Sequence, residues 1–232
     1  MTRKAACITM TLKSYDFKVI CAWSVILLPK QTFFNLSQEK RQKIEQAALD
    51  EFSEYGFDNS NMNRIVAQSE IAKSSFYQYF EDKKDLYFHL IDTLVARKIV
   101  LLERVLSTYR LNPFSHNLEE IFSLGLEFAD TDPKFYLLGE DFSNKPPSFT
   151  REFFQKYTPT GIDIYGQLLE HARETDELCE GINIPLVSSF INSLINQTSV
   201  GLIRQVSKER RNFVISELVN FIERAVIKPH GK

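Results

Sequence analysis

The chain has 232 residues, of which 44% are hydrophobic and 25% are charged, and these values are ordinary for a folded globular protein. The formal net charge of −2 excludes a uniformly basic nucleic-acid coat, so an anionic partner would have to meet a local cluster of basic residues. Three cysteines without CxxC spacing argue against a disulfide framework or a zinc site, and favour a reducing, cytoplasmic compartment.

Residues 1–35 show neither a clear helical period nor a cap, and carry five basic residues against one acidic residue. We expect a poorly structured extension, which is either a basic arm or the product of a mis-assigned start, with translation beginning at the position of Leu28. Its apolar run from Val19 to Leu28 is shorter than the ~20 residues that span a bilayer, so no membrane association is expected.

The segment from Ser37 to Tyr55 is predicted to be a helix. Ser37 is a suitable N-cap, the apolar residues from Ile44 onward recur on one face, and Gly56 is a natural stop. Asn61 is predicted to cap a short second helix that ends near residue 69.

A four-residue turn, 69–72, separates this helix from a third short helix over 73–79, and a long fourth helix follows from residue 83. Two short helices joined by a tight turn, with another helix across them, are the plan of a helix-turn-helix. The second helix of such a pair enters the major groove and needs small or polar outward residues. Lys73, Ser74, Ser75 and Gln78 meet this need.

The rest of the chain also has helical periodicity, with few glycines and no regularly spaced short strands. Helix breaks are predicted at 112–113, 131–133, 144–147, 157–159 and 181–185. The fold class predicted from the pattern is therefore all-α.

One stretch resembles a known family. Residues 65–86 read IVAQSEIAKSSFYQYFEDKKDL, and the tetracycline-repressor (TetR) family signature reads roughly I-A-x-x-A-G-V-S-x-x-x-x-Y-x-Y/H-F-x-x-K-x-x-L. Ala47, Ala48, Phe52, Gly56 and Phe57 also match that family in type and spacing. The resemblance in detail covers about residues 38–90.

The resemblance implies a helix-turn-helix DNA-binding domain at 36–84, followed by a larger helical ligand-binding and dimerisation domain at 85–232. It implies a homodimeric transcription regulator, a repressor that binds a pseudo-palindromic operator in double-stranded DNA and is released by an unknown small-molecule effector. We expect neither enzymatic activity nor a cofactor. The four histidines have no metal-ligand spacing, so no metal site is expected.

The resemblance also indicates DNA-contacting residues. It places the Tyr77 hydroxyl on a phosphate, directs the helix that Asn61 caps toward another phosphate, and makes Tyr79 and Lys83 further contacts. The predicted DNA-binding set is Asn61, Lys73, Ser74, Ser75, Tyr77, Gln78, Tyr79 and Lys83. Residues 38–92 nevertheless contain seven basic and eleven acidic residues, so we expect weak non-specific affinity.

Two residues depart from the family signature. Glu70 stands where glycine is usual in the turn, which predicts strain if this position has a positive φ. Ala72 stands where serine or threonine usually caps the recognition helix, and the loss of that cap costs on the order of 1 kcal/mol.

Two sets of candidate residues lie in the second domain. Its aromatic residues are either plain core or the lining of an apolar pocket for a hydrophobic ligand, for which the candidates are Phe122, Phe135, Phe142, Phe153, Tyr157, Tyr165 and His171. By the resemblance, the last two long helices form a four-helix bundle with a second subunit, for which the candidates are Phe190, Leu194, Ile195, Leu202, Leu218, Phe221 and Ile222.

Two alternatives remain open. The first is the same fold without a small-molecule ligand, either controlled by a protein partner or constitutive, and a filled core in the second domain would favour it. The second is a helical enzyme or scaffold with a vestigial DNA-binding domain. The sequence contains no GxSxG, P-loop or GxGxxG motif that would support an enzyme.

Overall fold

The computed structural model describes residues 29–195 and 200–229, apart from the side chains of residues 152, 154–163, 200 and 202. Over these residues the chain forms α-helices joined by short turns, which confirms the predicted all-α class. The helices are α1 (Gln31–Phe34), α2 (Gln38–Asn59), α3 (Met62–Gln68), α4 (Lys73–Tyr79), α5 (Lys83–Thr108), α6 (Phe114–Thr131), α7 (Pro133–Ser143), α8 (Pro147–Glu174), α9 (Ile184–Leu194), α10 (Val200–Arg204) and α11 (Lys208–Val226). Within the described ranges, no helix has both the length and the apolar character that a membrane crossing requires.

Side-chain caps define where several of the N-terminal helices begin. Ser37 accepts a hydrogen bond from the Lys40 N–H at the start of α2, and Asp82 accepts one from the Asp85 N–H at the start of α5. Gly56, with φ +67°, breaks the helical path as predicted, but the chain resumes a helical turn and α2 ends at Asn59.

The end of the N-terminal extension differs from the prediction. Instead of poor structure up to residue 35, Gln31–Phe34 form the short helix α1, and Phe33 is only 1% exposed. A four-residue helix is too short to show a period in the sequence, and contacts with α4 hold it in place. Residues 1–28 lie outside the described part, so the alternatives for them stay predictions.

The helix break predicted at 157–159 is also wrong, since α8 runs without interruption from Pro147 to Glu174. Buried residues anchor the helix on both sides of this stretch, with Phe153 before it and Ile164 and Tyr165 after it. Proline has a φ compatible with a helix and removes one hydrogen bond, a loss that burial of the flanking turns offsets.

Two apolar cores organise the fold. One lies under α1–α5 and continues to α6 through Phe128 and to α7 through Phe135 and Phe142. The other joins α5, α6, α8, α9 and α11. Helix α2 packs along α7, so the first core contains residues from both predicted domains. The short N-terminal helices are therefore held against the second domain.

Candidate nucleic-acid interface

Helix α4 has an inner apolar face and an outer polar face. Phe76 on α4 and Phe80, the residue after the helix, are buried. Tyr77 is 53% exposed, which is unusually high for so large an aromatic side chain. Of the other predicted contact residues, Lys73, Ser74 and Gln78 are exposed, and Ser75 and Tyr79 are half-buried. The structure thus brings six predicted DNA-contacting residues onto one short helix, where four of them, Lys73, Ser74, Tyr77 and Gln78, are exposed.

In the turn before α4, Glu70 and Ala72 differ from the family signature, and both have the consequences expected from that difference. Glu70 has φ +58°, in the left-handed region that glycine adopts more easily, and its carboxylate accepts a 2.8 Å hydrogen bond from the Lys43 ammonium. Ala72 occupies the N-cap of α4 with extended φ/ψ but offers no side-chain hydrogen bond. Helix α4 therefore begins without the cap that α3 has.

Asn61 caps α3, as predicted, since its side chain accepts a 2.8 Å hydrogen bond from the Asn63 N–H. Its own N–H donates to the carboxylate of Glu51 at 2.6 Å, and the Arg64 Nε lies 2.9 Å from the same carboxylate. These bonds link α2 to the start of α3 and orient that helix end. Whether Asn61 contacts a phosphate stays a prediction.

Glu51 is a residue that the sequence analysis missed. It is 2% exposed and lies three, four and seven residues after the buried Ala48, Ala47 and Ile44, so the helical period places it on the buried face of α2. Burial by itself raises the pKa of Glu51, but the hydrogen bonds from Arg64 and the Asn61 N–H outweigh this effect, and the pKa is lowered. The carboxylate therefore stays charged and paired at neutral pH.

Lys83 already has partners within the chain. Its ammonium donates to the Phe57 carbonyl at 2.7 Å and to the Ser60 carbonyl at 3.1 Å, and it lies 4.6 Å from the centroid of the Phe57 ring. Lys83 thus supports the chain between α2 and α3. Its predicted contact with a phosphate remains a prediction.

A polar joint connects α2 to α7. The Asp141 carboxylate on α7 accepts hydrogen bonds from the Phe57 N–H at 3.1 Å and from the Tyr87 hydroxyl at 2.7 Å, and it pairs with Lys145 at 3.0 Å. Burial, followed by the bond to Asp141, raises the pKa of Tyr87, so this hydroxyl remains a donor. A Cβ atom at Gly56 would lie 2.8 Å from the Asp141 Oδ1, so a larger residue there would displace this carboxylate.

The predicted pocket residues do not surround one cavity. Phe122 and Tyr165 belong to the core of α5, α6, α8, α9 and α11, whereas Phe135, Phe142 and Phe153 belong to the other core. The rings of Phe142 and Phe153 pack 4.8 Å apart, as in a filled interior. The Tyr157 side chain lies outside the described part, and His171 packs against Tyr109, with ring centroids 5.7 Å apart.

A concave region does occur elsewhere in the second domain. It has a volume of about 300 Å³ and lies between the turn after α5, α8 and α9, where its lining includes Tyr109, Gln167, Glu170, Pro185 and Ser188. Of the candidate pocket residues whose side chains the structure describes, none lines it. Where the structure describes their side chains, the phenylalanine and tyrosine residues that were predicted to line a pocket are core residues instead. Large aromatic rings fill a protein interior as readily as they line a pocket, so their number in the sequence does not distinguish the two.

The predicted dimer residues divide between surface and core. Phe190, Leu194 and Phe221 are exposed and Leu218 is half-buried, but Ile195 and Ile222 are 6% and 5% exposed and belong to the core of their own chain, which corrects their assignment. Adjacent residues of a helix point about 100° apart, and here Phe221 faces solvent while Ile222 turns into the core. The Leu202 side chain lies outside the described part.

Two exposed apolar residues were missed on the same helices. Leu186 on α9 and Phe213 on α11 are 54% and 61% exposed. They stand four and eight residues from Phe190 and Phe221, which places them on the outward stripes of α9 and α11. The periodic apolar residues of these helices indicated a stripe, but the periodicity did not show which of them face the core of their own chain and which face outward.

Comparisons with known proteins agree with this geometry. Residues 44–90 match the family model described as bacterial regulatory proteins, tetR family. An HTH-type transcriptional regulator of Staphylococcus aureus is 31% identical over 90 residues, which make up 39% of this chain. The chain thus spans 45% of the length of that curated relative.

Solved structures resemble a larger part of the chain. A TetR family transcriptional regulator from Chloroflexus aurantiacus has a TM-score of 0.65 at 22% identity, covering 87% of this chain and 100% of its own. The transcriptional regulator FadR from Bacillus subtilis, solved in complex with stearoyl-CoA, has a TM-score of 0.60 at 17% identity, covering 79% of this chain and 95% of its own. At these identities the likeness establishes the shared fold.

Proposed function

We propose that this chain, which belongs to the tetR family of transcriptional regulators through residues 44–90, acts as a homodimeric repressor that binds a pseudo-palindromic DNA site. The family is one of regulators and not of enzymes, as the sequence predicted. The carrying observation is the outer face of α4, where Tyr77 is exposed beside the exposed Lys73, Ser74 and Gln78. An aromatic hydroxyl, an ammonium and small polar groups together suit phosphate and base-edge contacts.

The outward stripes of α9 and α11 support the homodimer. Phe190, Phe213 and Phe221 are each more than half exposed, and a surface of this kind usually marks a protein interface. A two-fold interface brings the same patch of both subunits together, and it would place the two copies of α4 at a defined separation. We also propose a cytoplasmic location, because the DNA partner would be found there.

For the signal, we propose a small hydrophobic ligand bound in the second domain. FadR from Bacillus subtilis, which shares this fold, was solved with stearoyl-CoA. The concave region between α8 and α9 is an available starting point, and it is lined by Tyr109 and Pro185 together with the polar Gln167 and Glu170. A ligand that binds one arrangement of the helices more tightly shifts the population toward it.

A second candidate is the same fold controlled by a protein partner. The tight packing of Phe142 with Phe153 and of Phe88 with Phe149 favours this alternative, because these rings fill a space where a hydrophobic ligand could lie. A ligand would then have to open the core or occupy the concave region. A screen of small molecules for a rise in the unfolding temperature distinguishes the candidates, since only a bound ligand raises it.

The polar joint offers a route from the second domain to the DNA-binding helices. Asp141 on α7 accepts a hydrogen bond from the Phe57 N–H, and Lys83 donates one to the Phe57 carbonyl. Both backbone polar groups of Phe57 are therefore hydrogen-bonded to side chains. A shift of α7 would therefore move the end of α2 and the start of α3. We propose that this joint couples the two domains.

Selection of binding sites from a random duplex pool tests the DNA-binding proposal. We expect the wild type to enrich a pseudo-palindrome, and Lys73→Ala with Tyr77→Ala to lose at least tenfold in affinity for it, or about 1.4 kcal/mol. Lys208→Ala, which removes an exposed lysine at the start of α11, is the matched control and should bind as the wild type does. A folded dimer that enriches no sequence would contradict the proposal.

A further inference from the structure

The C-terminal end of α4 is closed by residues from outside the predicted helix-turn-helix. The last carbonyls of a helix have no partners inside the helix and need donors from elsewhere. Here the Lys30 ammonium donates to the Tyr77 carbonyl at 2.9 Å, the Lys30 N–H donates to the Tyr79 carbonyl at 2.8 Å, and the Thr32 hydroxyl donates to the Gln78 carbonyl. Two residues of one short segment thus satisfy three successive carbonyls.

The same segment has an apolar anchor. Phe33 is almost completely buried, and its ring lies 5.0 Å from that of Phe80, 6.3 Å from that of Tyr79 and 5.2 Å from that of His89, measured between centroids. Phe80 directly follows α4, and His89 lies on α5. Phe33 therefore fills the space between the end of α4 and the long helix behind it.

Helix α4 needs such support because little else stabilises it. It has seven residues, and isolated helices shorter than about 12 residues are marginal in water. Its N-cap, Ala72, provides no side-chain hydrogen bond, and only Phe76 is buried within the helix itself. The positive charge of Lys30 also lies at the negative end of the helix dipole, where it is favourable.

We propose that Lys30, Thr32 and Phe33 are positioning residues for DNA binding. Together they hold the C-terminal half of α4 at one tilt, so that Tyr77 and Gln78 face outward before DNA arrives. They act on α4 through its backbone carbonyls and through Phe80, and they touch no DNA themselves. The inference rests on the proposed function, since it concerns the same α4 surface.

The test uses full-length variants in two measurements. The variants are Lys30→Met, Thr32→Val and Phe33→Ala, and Gln31→Ala is the matched control, because Gln31 is an exposed residue of the same short helix. The first measurement is amide hydrogen exchange of the peptide covering residues 72–80 without DNA. The second is affinity for the selected duplex as a function of salt.

We expect Phe33→Ala to speed exchange of this peptide and to weaken specific binding, each by about tenfold, because its burial orders the end of α4. Thr32→Val should change the exchange rate and the affinity by about threefold each, which corresponds to the loss of one net hydrogen bond. Exchange in α9 and α11 should be unchanged in both. Gln31→Ala should match the wild type in both measurements.

The salt dependence separates positioning from direct contact. If Lys30 acts only on the Tyr77 carbonyl, Lys30→Met lowers affinity but leaves the slope against log salt unchanged. A slope smaller by about one would show that Lys30 binds a phosphate, and would overturn its assignment as a positioning residue.

Two further results are decisive. Wild-type exchange at residues 72–80 in both Phe33→Ala and Thr32→Val would overturn the inference, and so would wild-type DNA affinity despite faster exchange. If the wild type binds no duplex, the proposed function fails, whereas exchange in the variants still decides whether this segment orders α4. Thr32→Val changes only an exposed side chain, so it remains informative if Phe33→Ala does not fold.

Discussion

Most phenylalanines of the N-terminal helices are buried, whereas those of α9 and α11 are exposed. In the N-terminal part, Phe33, Phe52, Phe76 and Phe80 are all buried. Along α9 and α11, Phe190, Phe213 and Phe221 face solvent. The first region is thus complete within one chain, and the second has an apolar surface that another chain could cover.

The difference also appears in the polar groups. In the first region, polar side chains cap the ends of helices. Asn61 accepts a backbone hydrogen bond at the start of α3, and Asp82 accepts one at the start of α5. Such contacts need no partner molecule, so the α4 surface can be prepared before DNA binds. On α11, the exposed stripe between Phe213 and Phe221 carries Glu217. Another chain would bury the apolar residues of this stripe, and in a two-fold interface that chain is a second copy presenting the same patch.

The largest expected effect comes from breaking the apolar surface of α11. Phe221→Glu should weaken the dimer by on the order of 1,000-fold, because each buried phenylalanine contributes about 2 kcal/mol and a two-fold interface contains it twice. Sedimentation velocity at a few concentrations measures the change. Affinity for a pseudo-palindromic duplex should fall with it.

The control for Phe221→Glu is Val100→Glu, which places the same charge at a 65% exposed apolar residue of α5. It should leave the association state unchanged. A dimer that survives Phe221→Glu intact would show that α11 does not form the interface, and the homodimer proposal would have to move to another surface.

A smaller effect is expected at the joint between the two regions. Gly56 has φ +67° and ψ 171°, a conformation that is essentially restricted to glycine, and its added Cβ would also approach the Asp141 Oδ1. We expect Gly56→Ala to lower the free energy of unfolding by about 2–4 kcal/mol. Urea unfolding followed by circular dichroism measures this change.

A second glycine separates the two causes. Gly181 also has a positive φ, but no atom lies within 4 Å of its added Cβ, so Gly181→Ala should cost less, about 1–2 kcal/mol. Combining Gly56→Ala with Asp141→Ala should cost at least 1 kcal/mol less than the sum of the single changes. If the free-energy costs of Gly56→Ala and Asp141→Ala are additive, a steric clash between the Asp141 carboxylate and a side chain at residue 56 is not part of the cost.

Much of the first region could be predicted from the sequence. The caps at Ser37 and Asn61, the helix over 73–79 and the inward Phe76 all follow from local patterns, because helix ends and short periods depend on neighbouring residues. The strained Glu70 was also predictable, since the family signature has glycine there.

What the sequence could not show depends on contacts between distant segments. Phe33 and Thr32 meet α4 over more than 40 intervening residues, and no period in their own segment indicates this. The charge of the buried Glu51 depends on Arg64, which lies one helix later. In the second domain, the aromatic pattern did not distinguish a filled core from a pocket, because both require the same residue types.

The smallest expected effect would make the start of α4 resemble that of α3. Ala72 already has the extended backbone that an N-cap adopts, with φ −70° and ψ 141°, so Ala72→Ser can accept a hydrogen bond from the helix without rearrangement. We expect a gain of about 0.5–1 kcal/mol, seen as slower hydrogen exchange in residues 73–76. Asn61→Ala, which removes the cap of α3, should produce a loss of similar size there. If Ala72→Ser instead leaves α4 unchanged, the helix is already fully ordered by its C-terminal contacts, and the missing cap has no consequence for DNA binding.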